Sequence, residues 1–284
     1  MTEAPVSFKD VKFKMFIPNP SEHYKYPGGN VQSSIYKEQV WAKEESLILS
    51  KILDVNHRGL VVDIGSNTGY FSFIALSKNY KVIAVEANTI HKPYFMETMR
   101  LNNFSQNDVR YVESFVGSSK EDTPFDGWSG YEAIVGNNRT TLVKTVALDD
   151  LCEGCLFLKI DVEGAEPDVF KSGINLIQNS KIPYIMFELT YIINDILCKE
   201  QVDILGLLHR NNYTLYEIEG CSLVKINNFE NKIKKWESDY FNHHKKFNPS
   251  VSLAGTNMLA IHKNSFNPFT KMSMFGLEQR YIID

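Results

Sequence analysis

The sequence predicts an α/β domain: an open, mostly parallel sheet with helices on both faces. Three observations predict it. From about residue 60 onward, short apolar runs of strand length alternate with segments of helical period. One run, Val61-Val62-Asp63-Ile64, turns through Gly65-Ser66-Asn67-Thr68-Gly69 into a helix. A later run, Leu156-Phe157-Leu158-Lys159-Ile160, ends in the acidic stretch Asp161-Val162-Glu163-Gly164-Ala165-Glu166. Strands that alternate with helices build parallel sheets covered on both sides. In such sheets ligands collect outside the carboxyl ends of the strands.

Residues 1–30 are polar and turn-rich (Pro18, Pro20, Pro27, Gly28, Gly29), show little periodicity, and read as an N-terminal arm. Apolar residues at Val40, Trp41, Leu47, Ile48, Ile52 and Leu53 predict an amphipathic helix from Glu38 to Leu53. The alternation then runs strand Leu60 to Ile64, helix Thr68 to Ser77, strand Lys81 to Glu86, helix Pro93 to Leu101 and strand Val109 to Phe115. Residues 117–141 are rich in Gly, Ser, Thr, Asn and Asp and read as a surface excursion. Strands follow at Val143 to Leu148, Leu156 to Ile160 and Tyr184 to Glu188, with a helix near Pro167 to Lys171. After a helix at Val202 to Asn211 and a strand at Tyr213 to Ile218 comes a polar insertion, 227–248, and a last strand at Asn257 to His262. The division expected is an arm (1–30), one domain (31–263, with insertions at about 117–141 and 227–248) and a tail (264–284).

A formal charge of −4 with scattered basic residues implies no nucleic-acid partner. The cluster Lys232-Ile233-Lys234-Lys235 reads as a solvated face. The N-terminus lacks a basic region followed by an apolar core, and no apolar run approaches the length of a membrane span, so the expected location is cytoplasmic. Cys152-Glu153-Gly154-Cys155 is a C-x-x-C without a second close pair and reads as reduced thiols rather than a zinc or redox site.

The turn at 65–69 lacks the central glycine of a dinucleotide fingerprint and the Gly-Lys-Ser/Thr of a P-loop. Its spacing suits a nucleoside ligand with no phosphate to cradle. Glu86 ends the next strand, where a carboxylate can accept both hydroxyls of a ribose. Asp63 either fixes the turn or bonds an amino group of the ligand. The alternative is a plain strand-to-helix turn with a solvated Glu86.

Taken together, Val62-Asp63-Ile64-Gly65-Ser66-Asn67-Thr68-Gly69-Tyr70-Phe71, Ala84-Val85-Glu86-Ala87-Asn88, Ala147-Leu148-Asp149-Asp150 and Phe157-Leu158-Lys159-Ile160-Asp161-Val162-Glu163-Gly164-Ala165-Glu166 resemble an S-adenosylmethionine-dependent methyltransferase, and more narrowly the FkbM family. The later Ile185-Met186-Phe187-Glu188 and Asn257-Met258-Leu259-Ala260-Ile261 fit the same pattern. The resemblance spans about residues 60 to 262. It implies a Rossmann-like class I methyltransferase fold, a seven-stranded, mostly parallel sheet with its last strand antiparallel. It also implies methyl transfer to oxygen, often a hydroxyl of a sugar or natural product. Asp63, Gly65, Ser66, Asn67, Gly69 and Glu86 are then the cofactor-binding candidates.

Methyl transfer from an activated sulfonium needs mainly alignment. A hydroxyl acceptor also needs a base, worth about 10²–10⁴-fold. Asp161 is the first candidate and Glu163 the second. The same acids can instead hold a divalent cation, with Asp161 and Glu188 as ligands and Mg²⁺ as the hard ion they suit. Lys159 is expected to face away from Asp161. Glu166 reads as support for the following helix, whose dipole favours an acid at its start, and Asp149-Asp150 as turn or capping residues. Tyr36, Trp41, Trp128 and Trp236 read as packing residues before they read as a sugar-stacking surface. The competing readings are an N-methyltransferase and a catalytically inactive cofactor-binding scaffold.

Overall fold

The computed structural model of the chain describes residues 2–18, 29–119, 121–125, 141–193, 196–244, 253–271 and 279–283. Most of the expected excursion at 117–141, with Trp128, lies outside the described residues.

A hairpin opens the chain: β1 (Thr2–Phe8) and β2 (Val11–Ile17) pair antiparallel. Residues 2–17 of the expected arm are therefore regular strand rather than turn-rich chain with little periodicity. The missed signal is alternation, since Val11, Phe13, Met15 and Ile17 are buried while Lys12 and Lys14 face solvent. Asn102 exchanges hydrogen bonds with the backbone of Lys14, and Thr98 Oγ1 accepts from Phe16 N, which ties the hairpin to a helix of the main body.

Helices α1 (Gly29–Glu38) and α2 (Lys43–Asn56) lead to β3 (Leu60–Ile64), α3 (Tyr70–Ser77), β4 (Lys81–Glu86), α4 (Lys92–Leu101) and β5 (Val109–Glu113). Short strands β6 (Phe115–Val116), β7 (Thr123–Phe125), β8 (Thr141–Val143) and β9 (Thr145–Val146) pair among themselves. The strand expected to reach Leu148 stops at Val146, because Leu148–Leu151 forms α5. Asp149 there accepts from the backbone of Asn175 and Leu176 at the start of the second of the next two helices. The chain continues through β10 (Phe157–Ile160), α6 (Glu166–Ser172), α7 (Ile174–Gln178), β11 (Tyr184–Ile193), β12 (Ile196–Leu197), α8 (Lys199–Arg210), β13 (Tyr213–Glu219) and β14 (Ser222–Lys225). It ends with α9 (Phe229–Asp239), β15 (Leu253–His262), β16 (Thr270–Lys271) and β17 (Arg280–Ile282).

Among the described residues the main sheet holds eleven strands in the order β16-β17-β14-β13-β15-β11-β10-β3-β4-β5, with β12 added to β11. The five strands β5, β4, β3, β10 and β11 run parallel. Strand β15 lies antiparallel between β11 and β13, and β14, β17 and β16 extend the sheet antiparallel. The expected seven-stranded, mostly parallel sheet is thus a larger mixed one. Two of the added strands, β16 and β17, come from the region expected to be a tail, where Arg280–Ile282 pairs with β14 and Ile283 is fully buried. Two hydrophobic clusters flank the sheet, and Val61 and Val62, neighbours on β3, point into opposite ones.

The insertion after β14 carries a packed helix. Trp236 of α9 donates to Glu217 and stacks on Tyr191 with ring centroids 5.0 Å apart. Lys232, expected on a solvated face, is buried and ion-paired with Glu217 and Glu219, while Lys234 and Lys235 stay exposed. The four cysteines are free; the hydrogen bond from Cys155 pulls the Cys152 thiol down to about 7. No helix of the described residues is long and apolar enough to cross a membrane.

Candidate functional site

The site forms where β3 and β10, adjacent and parallel, reach their carboxyl ends. After Ile64 the chain turns through Gly65 (φ 75°), Asn67 (φ 51°) and Gly69 (φ 93°) into α3. The amides of Gly65 and Ser66 both donate to Val85 O, which holds the turn against β4. The Asp161 amide donates to Ile64 O at 3.0 Å. A side chain on Gly65 would place its Cβ 1.8 Å from the Asp161 carbonyl oxygen. The glycine turn and the acidic hook, almost a hundred residues apart, therefore abut, and Gly65 is glycine because backbone passes where a Cβ would sit. Gly69 answers to packing: a Cβ there would lie 2.5 Å from the Phe95 ring.

Asp63 is buried, and its Oδ2 accepts from Ser72 N at 3.0 Å and Ser72 Oγ at 2.6 Å. It fixes the first turn of α3, one of the two roles open to it from sequence. Burial pushes its carboxyl up, against the pull of Lys159. Glu86 accepts from Asn67 N and Asn88 N, each at 2.7 Å, so one oxygen meets the glycine turn and the other the start of the connection after β4. Burial raises it to about 7 despite those two bonds.

A nucleoside cofactor fits this geometry on an observation independent of motif. Asp63 Oδ1, Ser66 Oγ and Thr68 Oγ1 are buried around the turn with no hydrogen-bond partner. Buried polar atoms are rarely left so, and all three stand beside the strand end where Glu86 offers its carboxylate. Asn67 donates to Glu86 through its backbone and accepts from Thr68 N through its side chain.

The acidic hook is braced from behind. Glu166, fully buried at the start of α6, accepts from Val162 N, Gly164 N and Gln201 Nε2. It therefore pins the loop as well as supporting the helix. Glu163 sits in the left-handed region (φ 54°), and burial raises its carboxyl, with Asp161 adding to the shift.

Lys159 does not face away from Asp161. Its Nζ lies 2.8 Å from Asp161 Oδ2 and 4.7 Å from the Phe71 ring centroid. Residues two apart on a strand share a face, and Asp161, just past the strand end, folds back onto the ammonium. Burial pulls the Lys159 pKa down, but Asp161, Asp63 and Glu45 outweigh it and hold the group charged.

A cleft of about 230 Å³ opens over this pair. Asp161, Glu163 and Glu188 line it together, with Lys159, Phe71 and Met186. Trp41, Glu45 and Asn257 line it too. Glu45 carried no site signal, Trp41 read as a packing residue, and Asn257 entered only as part of a resemblance. Burial raises Glu188 to about 7, helped by the charges of Asp161, Glu163 and Glu166.

The Mg²⁺ expectation on Asp161 and Glu188 is not supported. Among the described residues no three or more His, Cys, Asp or Glu side chains are grouped to hold a metal ion. Lys159 supplies the physical reason: a fixed ammonium already neutralises Asp161 and repels a second cation.

A model of the methyltransferase FkbM domain matches residues 63–215, over half the chain. That span runs from Asp63 through Glu86 and the acidic hook into β13. No curated protein gives a match. Solved structures of similar shape include a precorrin-6y C5,15-methyltransferase from Geobacter metallireducens, at 13% identity over 80% of this chain and 92% of that one, with a TM-score of 0.42. They also include a SAM-dependent methyltransferase from Agrobacterium tumefaciens (10% identity, 99% and 70% covered, TM-score 0.44) and human methyltransferase 10 domain containing protein (10%, 86% and 98%, TM-score 0.44). Membership rests on the family match together with the turn and hook that lie within it: the chain belongs to the FkbM family of S-adenosylmethionine-dependent methyltransferases.

Proposed function

We propose that the chain methylates a hydroxyl oxygen of a sugar, glycan or other polyhydroxylated small molecule. The observation that carries this reading is the acid-lined cleft joined to the glycine turn through Asp161, which lines the cleft and whose carbonyl occupies the space a Gly65 side chain would need. Bound S-adenosylmethionine supplies a methyl group already activated on its sulfonium. Glu86, Asp63, Ser66, Asn67 and Thr68 are the groups that hold it, and Gly65 and Gly69 shape the turn that meets it.

The rest of the work falls to the cleft. A hydroxyl must be held about 3–3.5 Å from the carbon it attacks, and a base of pKa near the working pH takes its proton most effectively. Glu188, raised to about 7, meets that requirement, whereas an oxygen of Asp161 is already engaged by the Lys159 ammonium at 2.8 Å. Asp161 then orients the hydroxyl, and Glu163 adds negative field that keeps Glu188 basic. Transfer to nitrogen is the alternative, since a neutral amine needs less help from a base.

The test uses methyl-labelled S-adenosylmethionine with acceptors carrying only hydroxyls or only amines. Label entering the hydroxyl set, with turnover lost in Glu188→Gln, supports the reading. Label entering amines alone, indifferent to Glu188, refutes it in favour of N-methyl transfer. Cofactor uptake with no labelled product from either set would leave only the scaffold reading.

A further inference from the structure

We infer that Trp41 and Glu45, carried on a strained lip upstream of the matched family domain, select the acceptor: the indole covers its apolar face and Glu45 accepts from a hydroxyl beside the reacting one. The inference rests on the methyl-transfer reading above.

The lip is residues 39–45, between α1 and the first turn of α2. Gln39 (φ 58°) and Ala42 (φ 43°) both occupy the left-handed region without being glycine. Such conformations persist only where the surroundings over-determine them, and they cluster at ligand clamps. Here the surroundings do so. Ser7 N donates to Gln39 O, Trp41 N donates to Tyr70 OH at 3.1 Å, and Ser46 Oγ donates to Trp41 O at 2.7 Å. The hairpin, α3 and α2 thus each grip the segment, and the result is that Trp41 and Glu45 line the same cleft as Asp161 and Glu188. Gln39 caps α1, its amide donating to Ile35 O, and Trp41 and Ala42 pack against the core, but neither contact accounts for the left-handed φ of Ala42 or for the shared wall.

The donors and acceptors of the cleft indicate what it takes. Two of its three donor side chains are engaged, Lys159 with Asp161 and Asn257 Nδ2 with Glu45 Oε1 at 2.5 Å, and the third is the single indole N–H of Trp41. Each carboxylate accepts at two oxygens with about four lone-pair sites, so Glu45, Glu163 and Glu188 leave an excess of acceptors. That excess suits a ligand rich in hydroxyl donors. The Phe71 ring is already covered by the Lys159 ammonium, which leaves the half-buried Trp41 as the aromatic surface for the ligand's C–H face. The family match begins at residue 63, so this wall lies outside what defines the family.

Saturation-transfer NMR on the full chain loaded with S-adenosylhomocysteine tests the inference. The probes are methyl α-D-glucopyranoside, methyl α-D-mannopyranoside and methyl α-D-galactopyranoside, with cyclohexanol as a ring of few hydroxyls. Saturation should reach the ring C–H protons of at least one pyranoside and not cyclohexanol. Trp41→Ala and Glu45→Gln should each weaken that probe by about tenfold, Trp41→Phe should keep part of it, and all three should bind S-adenosylhomocysteine as the wild type does. Glu45→Gln, nearly isosteric, guards against a Trp41→Ala chain that fails to fold. Binding of no pyranoside by the loaded protein, or equal binding by Glu45→Gln or Trp41→Phe and the wild type throughout, overturns the inference while leaving methyl transfer standing. Failure to take up S-adenosylhomocysteine at all would instead strike the parent reading.

Discussion

Lys159 Nζ lies 2.8 Å from Asp161 Oδ2, and the ammonium is almost wholly buried whereas the carboxylate is about two-fifths exposed. The same ammonium is coupled to Asp63 beneath the glycine turn and to Glu45 on the lip. One cation therefore balances charge for both the cofactor side and the acceptor side. Removing a buried partner strands the charges it served. Because solvent screens Asp161, we expect Lys159→Met to lose about 1–3 kcal/mol of stability, read from urea unfolding; a loss near zero would mean that the acids relax into solvent.

Glu188 links the site to pH. Its folded pKa of about 7 exceeds the unfolded value of 4.5. Between those values the folded state holds a proton that the unfolded chain has released, so stability falls as pH rises through the window. Glu188→Gln should match the wild type near pH 4.5 and exceed it above pH 7, by up to about 3 kcal/mol. Turnover of the wild type should climb as pH passes about 7. Melting curves at pH 5 and pH 8 check the first statement: a gain of equal size at both would remove the titration of Glu188 as its cause.

Gly65 tests the contact between turn and hook. Alanine there meets both a left-handed φ and the Asp161 carbonyl at 1.8 Å. The backbone of β3 or β10 would have to shift, at about 3 kcal/mol or more. Gly65→Ala should therefore lower the melting temperature and abolish calorimetric binding of S-adenosylhomocysteine. Unchanged binding would show that the turn does not meet the ligand.

Glu86→Gln separates binding from stability. The amide keeps one acceptor oxygen for Asn67 N or Asn88 N and removes a buried charge. Charge-assisted hydrogen bonds to two hydroxyls would be replaced by a single neutral one, so the Kd for S-adenosylhomocysteine should rise about ten- to a hundredfold. Stability should change by no more than about 1–3 kcal/mol, since relief of the buried charge is offset by one backbone N–H left facing the new NH2 group. A Kd that stays put would dismiss Glu86 as a ribose partner.

The elements that hold the turn were legible because their signals are local. Apolar runs at 60–64, 81–86 and 156–160 became β3, β4 and β10, and the Gly65 and Gly69 spacing became the turn into α3. The hairpin at 2–17 was legible in principle, through the alternation of Val11, Phe13, Met15 and Ile17, but prolines and glycines at 18–29 drew attention to turns. Lys232 departs from its solvated reading for another reason: its neighbours along the chain are charged, and only the position of Glu217 across the sheet shows that it is buried.

Sequence by itself determined the parallel strands, the glycine turn, the acidic hook and the family they belong to, since each is written in residues close along the chain. Tertiary structure alone decided that Lys159 faces Asp161, that an ammonium sits where a metal was expected, and that Trp41, Glu45 and Asn257 close the cleft. Those three come from segments more than two hundred residues apart at their extremes, and the bond from Asn257 to Glu45 joins them. Which wall faces which is set by the register of β11 against β15 and by the seating of α2, and periodicity within a single segment carries no record of either.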